Sequence, residues 1–257
     1  MCGRYASTRS ATDLSSLFEA LDETATELRP DYNVAPTDPV PIVRRSGRVA
    51  SPVLCVARWG LVPAWSRDAT GAARMINARA ETVATSRAFA GSFAERRCLV
   101  PADGWYEWVR TSGGSGRRGP AGGAVQRGPA GTGKQAYFMT RGDAEVLAFG
   151  GIWTVWTSGS VRLLTFSVLT LPAEGDLALV HDRMPLVLEP ANWHAWLTSA
   201  DPTGLLAGPS PQYGAGIEVR PVSPAVGDVR NDGPELVRKV SAPLLCGSIM
   251  EPPPALF

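Results

Sequence analysis

Two apolar runs occur in the stretch Arg96-Arg97-Cys98-Leu99-Val100-Pro101-Ala102-Asp103-Gly104-Trp105-Tyr106-Glu107-Trp108. We predict strands at Cys98–Val100 and Trp105–Val109, because β-branched and aromatic residues are typical of strands. Side chains alternate along a strand, so Trp105 and Glu107 point to one face. If that face is inward, the Glu107 carboxyl group lies against indole and its pKa rises toward the range useful for proton transfer. The alternative is an outward Glu107 on a half-exposed strand.

Short predicted strands continue on both sides of this stretch. They lie at Val40–Arg45, Val53–Trp59, Ala136–Thr140, Val146–Phe149, Leu163–Leu169 and Pro185–Leu188. Helices are predicted at Thr12–Leu21, Thr82–Ala90, Ala173–Val180 and Pro190–Leu197, and Asp31–Thr37 is predicted to be a turn-rich loop. Many short strands with few helices and no βαβ periodicity indicate an α+β fold, with a mostly antiparallel, barrel-like sheet flanked by helices.

Composition favours a single globular domain. The 257 residues are 44% hydrophobic, and no apolar run approaches the ~18 residues of a membrane span. No secretory leader is evident. Four scattered cysteines, without a C-x-x-C pair, argue against a zinc site and a disulfide framework. We therefore expect a cytoplasmic protein without metal or other cofactor, and with no membrane partner.

The domain is expected to cover residues 1–240, with a flexible Gly-rich insertion at 112–134 and a mobile tail at 241–257. Arginines in the insertion could touch phosphates, although a solvated loop without function is the more common case. The net charge of +1 gives no overall attraction to nucleic acid, so any such binding needs local clusters of Arg.

Cys2 could carry two nucleophilic groups on one residue. Removal of Met1 would leave Cys2 with a free amine, of pKa about 7.7–8.0, beside a thiol of pKa about 8.5. An aldehyde could condense with the amine and then be captured by the sulfur in a five-membered thiazolidine ring. From its position alone, Cys2 is more commonly a small apolar residue that begins a strand.

Other segments carry polar groups that a core does not need. Asn77 and Arg79 precede the predicted helix at Thr82–Ala90, where Glu81 would be an ordinary helix-start residue. His181 stands beside a carboxylate and a guanidinium and is better placed for acid–base chemistry than the second histidine, which lies between two tryptophans.

Two tryptophans flank the Gly-Pro bend of Trp59-Gly60-Leu61-Val62-Pro63-Ala64-Trp65. Such aromatic residues commonly plug a core, and on a loop they can also form flat platforms for unstacked bases. Together with the arginines and the candidate acid–base groups, they give the sequence features of a catalytic protein that acts on nucleic acid.

Seven ordered motifs resemble the SOS-response-associated peptidase (SRAP) family and cover most of the chain. They are Met1-Cys2-Gly3-Arg4-Tyr5, Tyr32-Asn33-Val34-Ala35-Pro36-Thr37, Trp59-Gly60-Leu61-Val62-Pro63, Ile76-Asn77-Ala78-Arg79-Ala80-Glu81-Thr82, Ala102-Asp103-Gly104-Trp105-Tyr106-Glu107-Trp108, His181-Asp182-Arg183-Met184-Pro185 and Pro221-Val222-Ser223-Pro224-Ala225-Val226-Gly227-Asp228-Val229-Arg230-Asn231. The insertion and the tail depart from the family pattern without touching a motif.

The resemblance implies a cysteine-nucleophile enzyme that binds single-stranded DNA and links Cys2 to the ring-opened sugar of an abasic site, with weak lyase activity. It implies catalytic roles for Cys2, Asn77, Glu107 and His181. It further implies DNA contacts at Arg4, Pro36, Trp65, Arg79, Thr170 and Arg183. We expect a monomer that lies with the nucleoid when it acts on DNA.

Three other functions start from the same residues. A class II glutamine amidotransferase also begins Met-Cys-Gly, but we find none of its glutamine-binding motifs. A self-processing peptidase would use Cys2 and Glu107 to remove Met1. A single-strand-binding module would need only the aromatic residues and arginines, and its DNA binding would survive Cys2→Ala.

Overall fold

The structure is a computed structural model that describes residues 2–110 and 133–241. Most of the predicted insertion at 112–134, and all of the predicted tail at 241–257 except its first residue, lie outside the described residues. The strands are β1 (Tyr5–Ser7), β2 (Leu21–Asp22), β3 (Asp31–Val34), β4 (Pro39–Arg45), β5 (Pro52–Trp59), β6 (Asn77–Arg79), β7 (Arg97–Ala102), β8 (Gly104–Arg110), β9 (Lys134–Arg141), β10 (Leu147–Ser158), β11 (Val161–Pro172), β12 (Arg183–Pro185), β13 (Val187–Leu188) and β14 (Ile217–Val222). The α-helices are α1 (Ala11–Leu17), α2 (Ala90–Glu95), α3 (Pro190–Thr198) and α4 (Pro211–Gly214).

Five strands close into a barrel. Their order is β11-β10-β7-β4-β5, and each neighbouring pair in that order is antiparallel. A short parallel pairing of β5 with β11 closes the ring, with Arg58 opposite Thr165 and Trp59 opposite Phe166. Apolar side chains from all five strands fill the main core.

A second sheet, of order β14-β9-β8-β1-β3, packs beside the barrel. The chain passes from barrel strand β7 to second-sheet strand β8 at Asp103. The Asp103 N–H donates to the Ala6 carbonyl at 2.8 Å, and its carboxylate accepts from the Thr8 N–H at 2.7 Å. This crossing joins the N-terminal strand to both sheets, and it places Glu107 beside the start of the chain.

The predicted α+β fold with a mostly antiparallel, barrel-like sheet is confirmed. The helix predicted at Pro190–Leu197 is α3, and the one predicted at Thr12–Leu21 is the shorter α1. No helix in the described part of the chain is long and apolar enough to cross a membrane.

The prediction of a helix at Thr82–Ala90 is wrong. Turns occupy most of this segment, and the short helix α2 begins where the prediction ends. The Thr82 carbonyl accepts from the Ser86 N–H at 2.9 Å and also from the Thr85 hydroxyl at 3.3 Å. Hydroxyl side chains of this kind compete with the regular helical pattern.

Two other predictions need correction. Ala173–Val180 contains a 3-10 helix at Gly175–Leu179 rather than an α-helix, because Gly175 has a φ of 55°, which lies outside the helical region. The Asp31–Thr37 segment begins as strand β3 rather than a loop, because it pairs with β1 and buries Val34.

Candidate functional site

Asn77 anchors the beginning of the chain. It lies on β6, which runs parallel to β11 with Asn77 opposite Val168. Its Nδ2 donates a hydrogen bond to the Cys2 carbonyl oxygen at 2.7 Å. The Trp59 indole N–H donates to the Ile76 carbonyl at 2.9 Å and holds the chain just before Asn77. The backbone of Cys2 is therefore held by a side chain that is itself fixed between two barrel strands.

Cys2 carries a free thiol and is fully buried. Burial raises the pKa of this thiol far above its ordinary value, and the negative charge of Glu107 raises it further. The sulfur is therefore held as a neutral thiol near pH 7. A reaction at this sulfur needs a nearby group to take its proton.

Glu107 occupies the inward face of β8, the first of the two alternatives considered from the sequence. Its side chain is 4% exposed. Burial raises the pKa of its carboxyl group, and protonation of His181 opposes that rise. Glu107 is thus near enough to both Cys2 and His181 for their charges to interact, as a proton-transfer site requires.

His181 lies between the 3-10 helix and β12. Its Nδ1 accepts a hydrogen bond from the Arg183 N–H at 2.9 Å and also lies 2.8 Å from the Asp182 carboxylate. The two contacts compete, because the N–H needs a bare Nδ1 and the carboxylate needs a protonated one. The Arg183 N–H is fixed at the start of a strand, whereas Asp182 is 87% exposed. We therefore assign the neutral ring its proton on Nε2.

The Arg183 side chain is clamped by Thr170 of β11 and by Glu81, which lies in the turn after β6. Its guanidinium donates to both carboxylate oxygens of Glu81, with Nη2 to Oε2 at 2.9 Å. The same Nη2 donates to the Thr170 carbonyl at 2.5 Å and to its hydroxyl at 3.2 Å. The hydrogen bonds from Arg183 lower the pKa of Glu81 to about 2. Glu81 was not recognised from the sequence as part of the site, although it lies inside one of the motifs.

Trp65 and Pro36 lie at the surface. Trp65 is 62% exposed, and the Arg87 guanidinium lies 5.2 Å from the centre of its ring, as in a cation–π contact. Pro36 occupies the second position of a turn in which the Asp38 N–H donates to the Ala35 carbonyl at 3.1 Å. Arg87 carried no signal in the sequence beyond its charge.

The remaining predicted DNA contacts differ in exposure. Arg79 is exposed on β6. Arg4 donates to the Asn33 side-chain oxygen at 2.5 Å and to the Val226 carbonyl at 2.9 Å, so its guanidinium joins protein segments. Thr170 is fully buried behind Arg183. In the described part of the chain, no group of three or more His, Cys, Asp or Glu side chains could hold a metal ion.

Comparisons with known proteins agree with the resemblance seen in the sequence. A family model described as SOS response associated peptidase (SRAP) matches residues 1–229. The chain is 29% identical over 242 residues to the abasic site processing protein YoqW of Bacillus subtilis, which covers 92% of this chain and 99% of the relative. It is 30% identical over 258 residues to the abasic site processing protein YedK of Escherichia coli, which covers 93% and 100%.

A crystal structure of a Bacteroides thetaiotaomicron protein has the same fold. Its TM-score is 0.74 at 20% identity, and the match covers 93% of this chain and 100% of that one. Sequence motifs, family model and fold thus agree over most of the molecule. The chain belongs to the SRAP family, the SOS response associated peptidases.

Proposed function

We propose that this protein processes abasic sites by binding them in single-stranded DNA and forming a covalent thiazolidine link through Cys2. The observation that carries the proposal is the arrangement around Cys2. The Asn77 side chain donates to its carbonyl oxygen at 2.7 Å, the charge of Glu107 acts on its thiol, and His181 acts on the charge of Glu107. The relatives named abasic site processing proteins support the same role.

The chemistry requires Met1 to be removed, by the protein itself or by an aminopeptidase, so that Cys2 has a free amine. The amine adds to the aldehyde carbon of the ring-opened sugar and loses one water to give an imine. The thiol then adds to the imine carbon, which forms the C–S bond, and the imine nitrogen gains the proton that the thiol loses. The net products are one thiazolidine and one water.

Each neighbouring residue has a distinct part in these steps. Glu107 takes the proton of the buried thiol and passes it to the imine nitrogen, because a neutral thiol cannot act as a strong nucleophile. His181, with its proton on Nε2, assists the opening of the sugar. Asn77 keeps the Cys2 backbone fixed while both nucleophiles react.

The surface residues provide the DNA contacts. Trp65 offers an exposed ring for base stacking, Pro36 is partly exposed, and Arg79 offers an exposed cation. Arg4 and Arg183 complete the proposed contacts, whereas Thr170 is buried and acts by fixing the Arg183 guanidinium. The protein acts as a monomer in this scheme, and the imine can also eliminate the 3′ phosphate, which gives weak lyase activity.

The proposal is tested by mixing the protein with single-stranded DNA that carries one abasic site, then boiling in detergent and separating by electrophoresis. We expect a shifted band that is absent with Cys2→Ala. Protein with an uncleaved N-terminal extension should form no adduct, and mass spectrometry reports whether Met1 is present. Absence of a heat-stable adduct from the wild type would contradict the proposal.

The same preparations separate the alternatives. A single-strand-binding module would bind DNA equally well as Cys2→Ala and would leave nothing linked after boiling. An amidotransferase would release ammonia from glutamine, which we do not expect. Noncovalent binding should weaken with added salt, because phosphate contacts release counterions.

A further inference from the structure

The clamp on Arg183 connects three strands to the candidate acid–base residue His181. Glu81 follows β6, Thr170 belongs to β11, and Arg183 begins β12. The Ala80 N–H donates to the Thr170 carbonyl at 2.8 Å, and the Arg183 guanidinium donates to the same carbonyl oxygen. The position of Arg183 is therefore set by two strands to which it is not covalently adjacent.

Arg183 in turn sets the position of His181. Its N–H donates to His181 Nδ1 at 2.9 Å, and only one residue lies between them in the chain. A shift of the Arg183 backbone would move this donor away from the ring and free the imidazole to turn toward Asp182. The proton on Nε2 depends on that same donor, because it keeps Nδ1 bare.

We propose that Glu81 is a positioning residue for His181, which it holds through Arg183 in the orientation and tautomer needed for proton transfer. The carboxylate takes both Nη groups of a side chain that is only 13% exposed, whereas Glu81 itself is 46% exposed. A two-pronged contact of this kind fixes direction as well as charge. This inference rests on the proposed function, in which His181 assists the opening of the sugar.

The low pKa of Glu81, about 2, keeps its carboxylate charged throughout the pH range in which the Cys2 amine reacts. The negative charge that the clamp needs is therefore present over that pH range. Lysine in place of Arg183 would keep the positive charge but could not span Glu81 and Thr170 with a planar fork. Arg183→Lys therefore separates the effect of the positive charge from the effect of the two-pronged contact.

The test measures the rate of adduct formation at saturating DNA, and the affinity for DNA that carries an unreactive abasic analogue. If His181 acts in proton transfer, His181→Ala should lose about 10²-fold in rate. We expect Glu81→Ala and Arg183→Lys each to lose roughly tenfold or more in rate, and Glu81→Ala to change the affinity less than about threefold. Glu218→Ala is the matched control, since it removes a 52% exposed Glu that pairs with Arg220 on β14.

Double variants decide whether Glu81 acts through His181. Glu81→Ala combined with His181→Ala should be no slower than His181→Ala alone, because non-additive effects reveal a shared action. The inference would be overturned if the loss of rate in the double variant equalled the product of the two single losses. A wild-type rate for Arg183→Lys would also overturn it. If the wild type itself forms no adduct, the proposed function fails instead, which is a different result.

A spectroscopic measurement keeps the inference testable if Glu81→Ala does not fold. The chain has two histidines, so ¹⁵N imidazole spectra of the wild type and of Glu81→Gln can be assigned with His194→Gln. In the neutral ring of His181 we expect the proton on Nε2 in the wild type, and a mixture of tautomers in Glu81→Gln. A wild-type proton on Nδ1, or an unchanged tautomer in Glu81→Gln, would contradict the positioning role.

Discussion

Cys2 carries a buried thiol, and in the proposed reaction this thiol needs a neighbour that accepts its proton. Burial raises its pKa, and Glu107 raises it further. The same Glu107 that makes the thiol harder to ionise is the group that we propose takes its proton. This explains why the pair is better described as thiol plus carboxylate than as a preformed thiolate.

Glu107→Gln should therefore slow adduct formation by roughly 10²-fold, in the range usual for loss of a general base. Burial raises the carboxyl pKa, so the wild-type rate should rise with pH above the range of an ordinary carboxyl group. That rise should vanish in Glu107→Gln, while the later rise from the Cys2 amine near pH 7.7–8.0 remains in both proteins. Equal pH–rate profiles would rule out Glu107 as the base.

The same substitution should raise stability at neutral pH. The folded-state pKa of Glu107 is raised, so its protonated form favours the fold below the ordinary carboxyl pKa of about 4.3, and this contribution is lost as pH rises through the folded value. Thermal unfolding of Glu107→Gln and wild type should thus give similar Tm values in acid and a higher Tm for the variant at pH 7–8. A constant difference across pH would contradict this reasoning.

At the scale of elements, the turn before β4 stores backbone strain. Thr37 has a φ of 80°, which a β-branched residue adopts only under constraint. Its N–H donates to the Trp59 carbonyl at 2.8 Å, and the Ala35 N–H donates to the Asp38 carboxylate at 2.8 Å. These bonds hold Pro36 at the surface in one orientation.

Thr37→Gly should leave the Tm unchanged or raise it. Glycine relieves ~1–2 kcal/mol of left-handed backbone strain, and the larger entropy of its unfolded chain costs only ~0.5–1 kcal/mol of stability. Binding to single-stranded DNA should weaken, since Pro36 becomes less fixed. Thr157→Gly on the exposed end of β10 is the control and should lower the Tm. A fall in Tm equal to that of the control would show that Thr37 carries no strain.

The crossing from β7 to β8 depends on Gly104. A Cβ there would overlap the Met139 carbonyl oxygen and lie 2.5 Å from a ring carbon of Phe138. Gly104→Ala should cost about 1–3 kcal/mol, and each kcal/mol lowers the Tm by roughly 2–4 °C in a domain of this size. Gly47→Ala, at a position where nothing lies within 4 Å of the added Cβ, should be neutral.

Sequence patterns predicted strands better than they predicted helices. Strands such as β4, β5 and β9 follow from β-branched runs bounded by turns. The prediction of β10 stopped at Phe149, because Gly150 and Gly151 are poor strand formers. The barrel requires them, since a Cβ on Gly150 would lie 2.8 Å from Leu186 and one on Gly151 would lie 2.9 Å from the Cys98 sulfur.

The candidate site was predicted only as separate residues. The sequence showed four residues whose side chains can take part in catalysis, namely Cys2, Asn77, Glu107 and His181. Their positions relative to one another depend on pairings between strands that are distant in the chain. Glu81 was interpreted as a helix-start residue because no local pattern announces its partner Arg183, which lies 102 residues away. Contacts of this kind are set by the closure of the barrel and not by local preference.

At the scale of the whole molecule, the predicted insertion at 112–134 is attached to the ends of a paired hairpin, with Arg110 opposite Lys134. Replacing residues 112–132 with Asn-Gly should keep the fold, since that dipeptide favours tight hairpin turns. We expect the Tm to change little and adduct formation to persist, as measured by thermal unfolding and by the gel assay. Loss of adduct with an unchanged Tm would instead give the insertion a part in DNA binding.

The parallel contact between β5 and β11 has a consequence for folding. It joins strands that are far apart in the chain, so the loop entropy of closure must be overcome before this contact can form. Asn77 pairs with β11 just beyond that contact, and its side chain donates a hydrogen bond to the Cys2 carbonyl oxygen. A newly made chain therefore contains Cys2 before it contains β11, and the proposed reaction of Cys2 with damaged DNA requires the closed barrel.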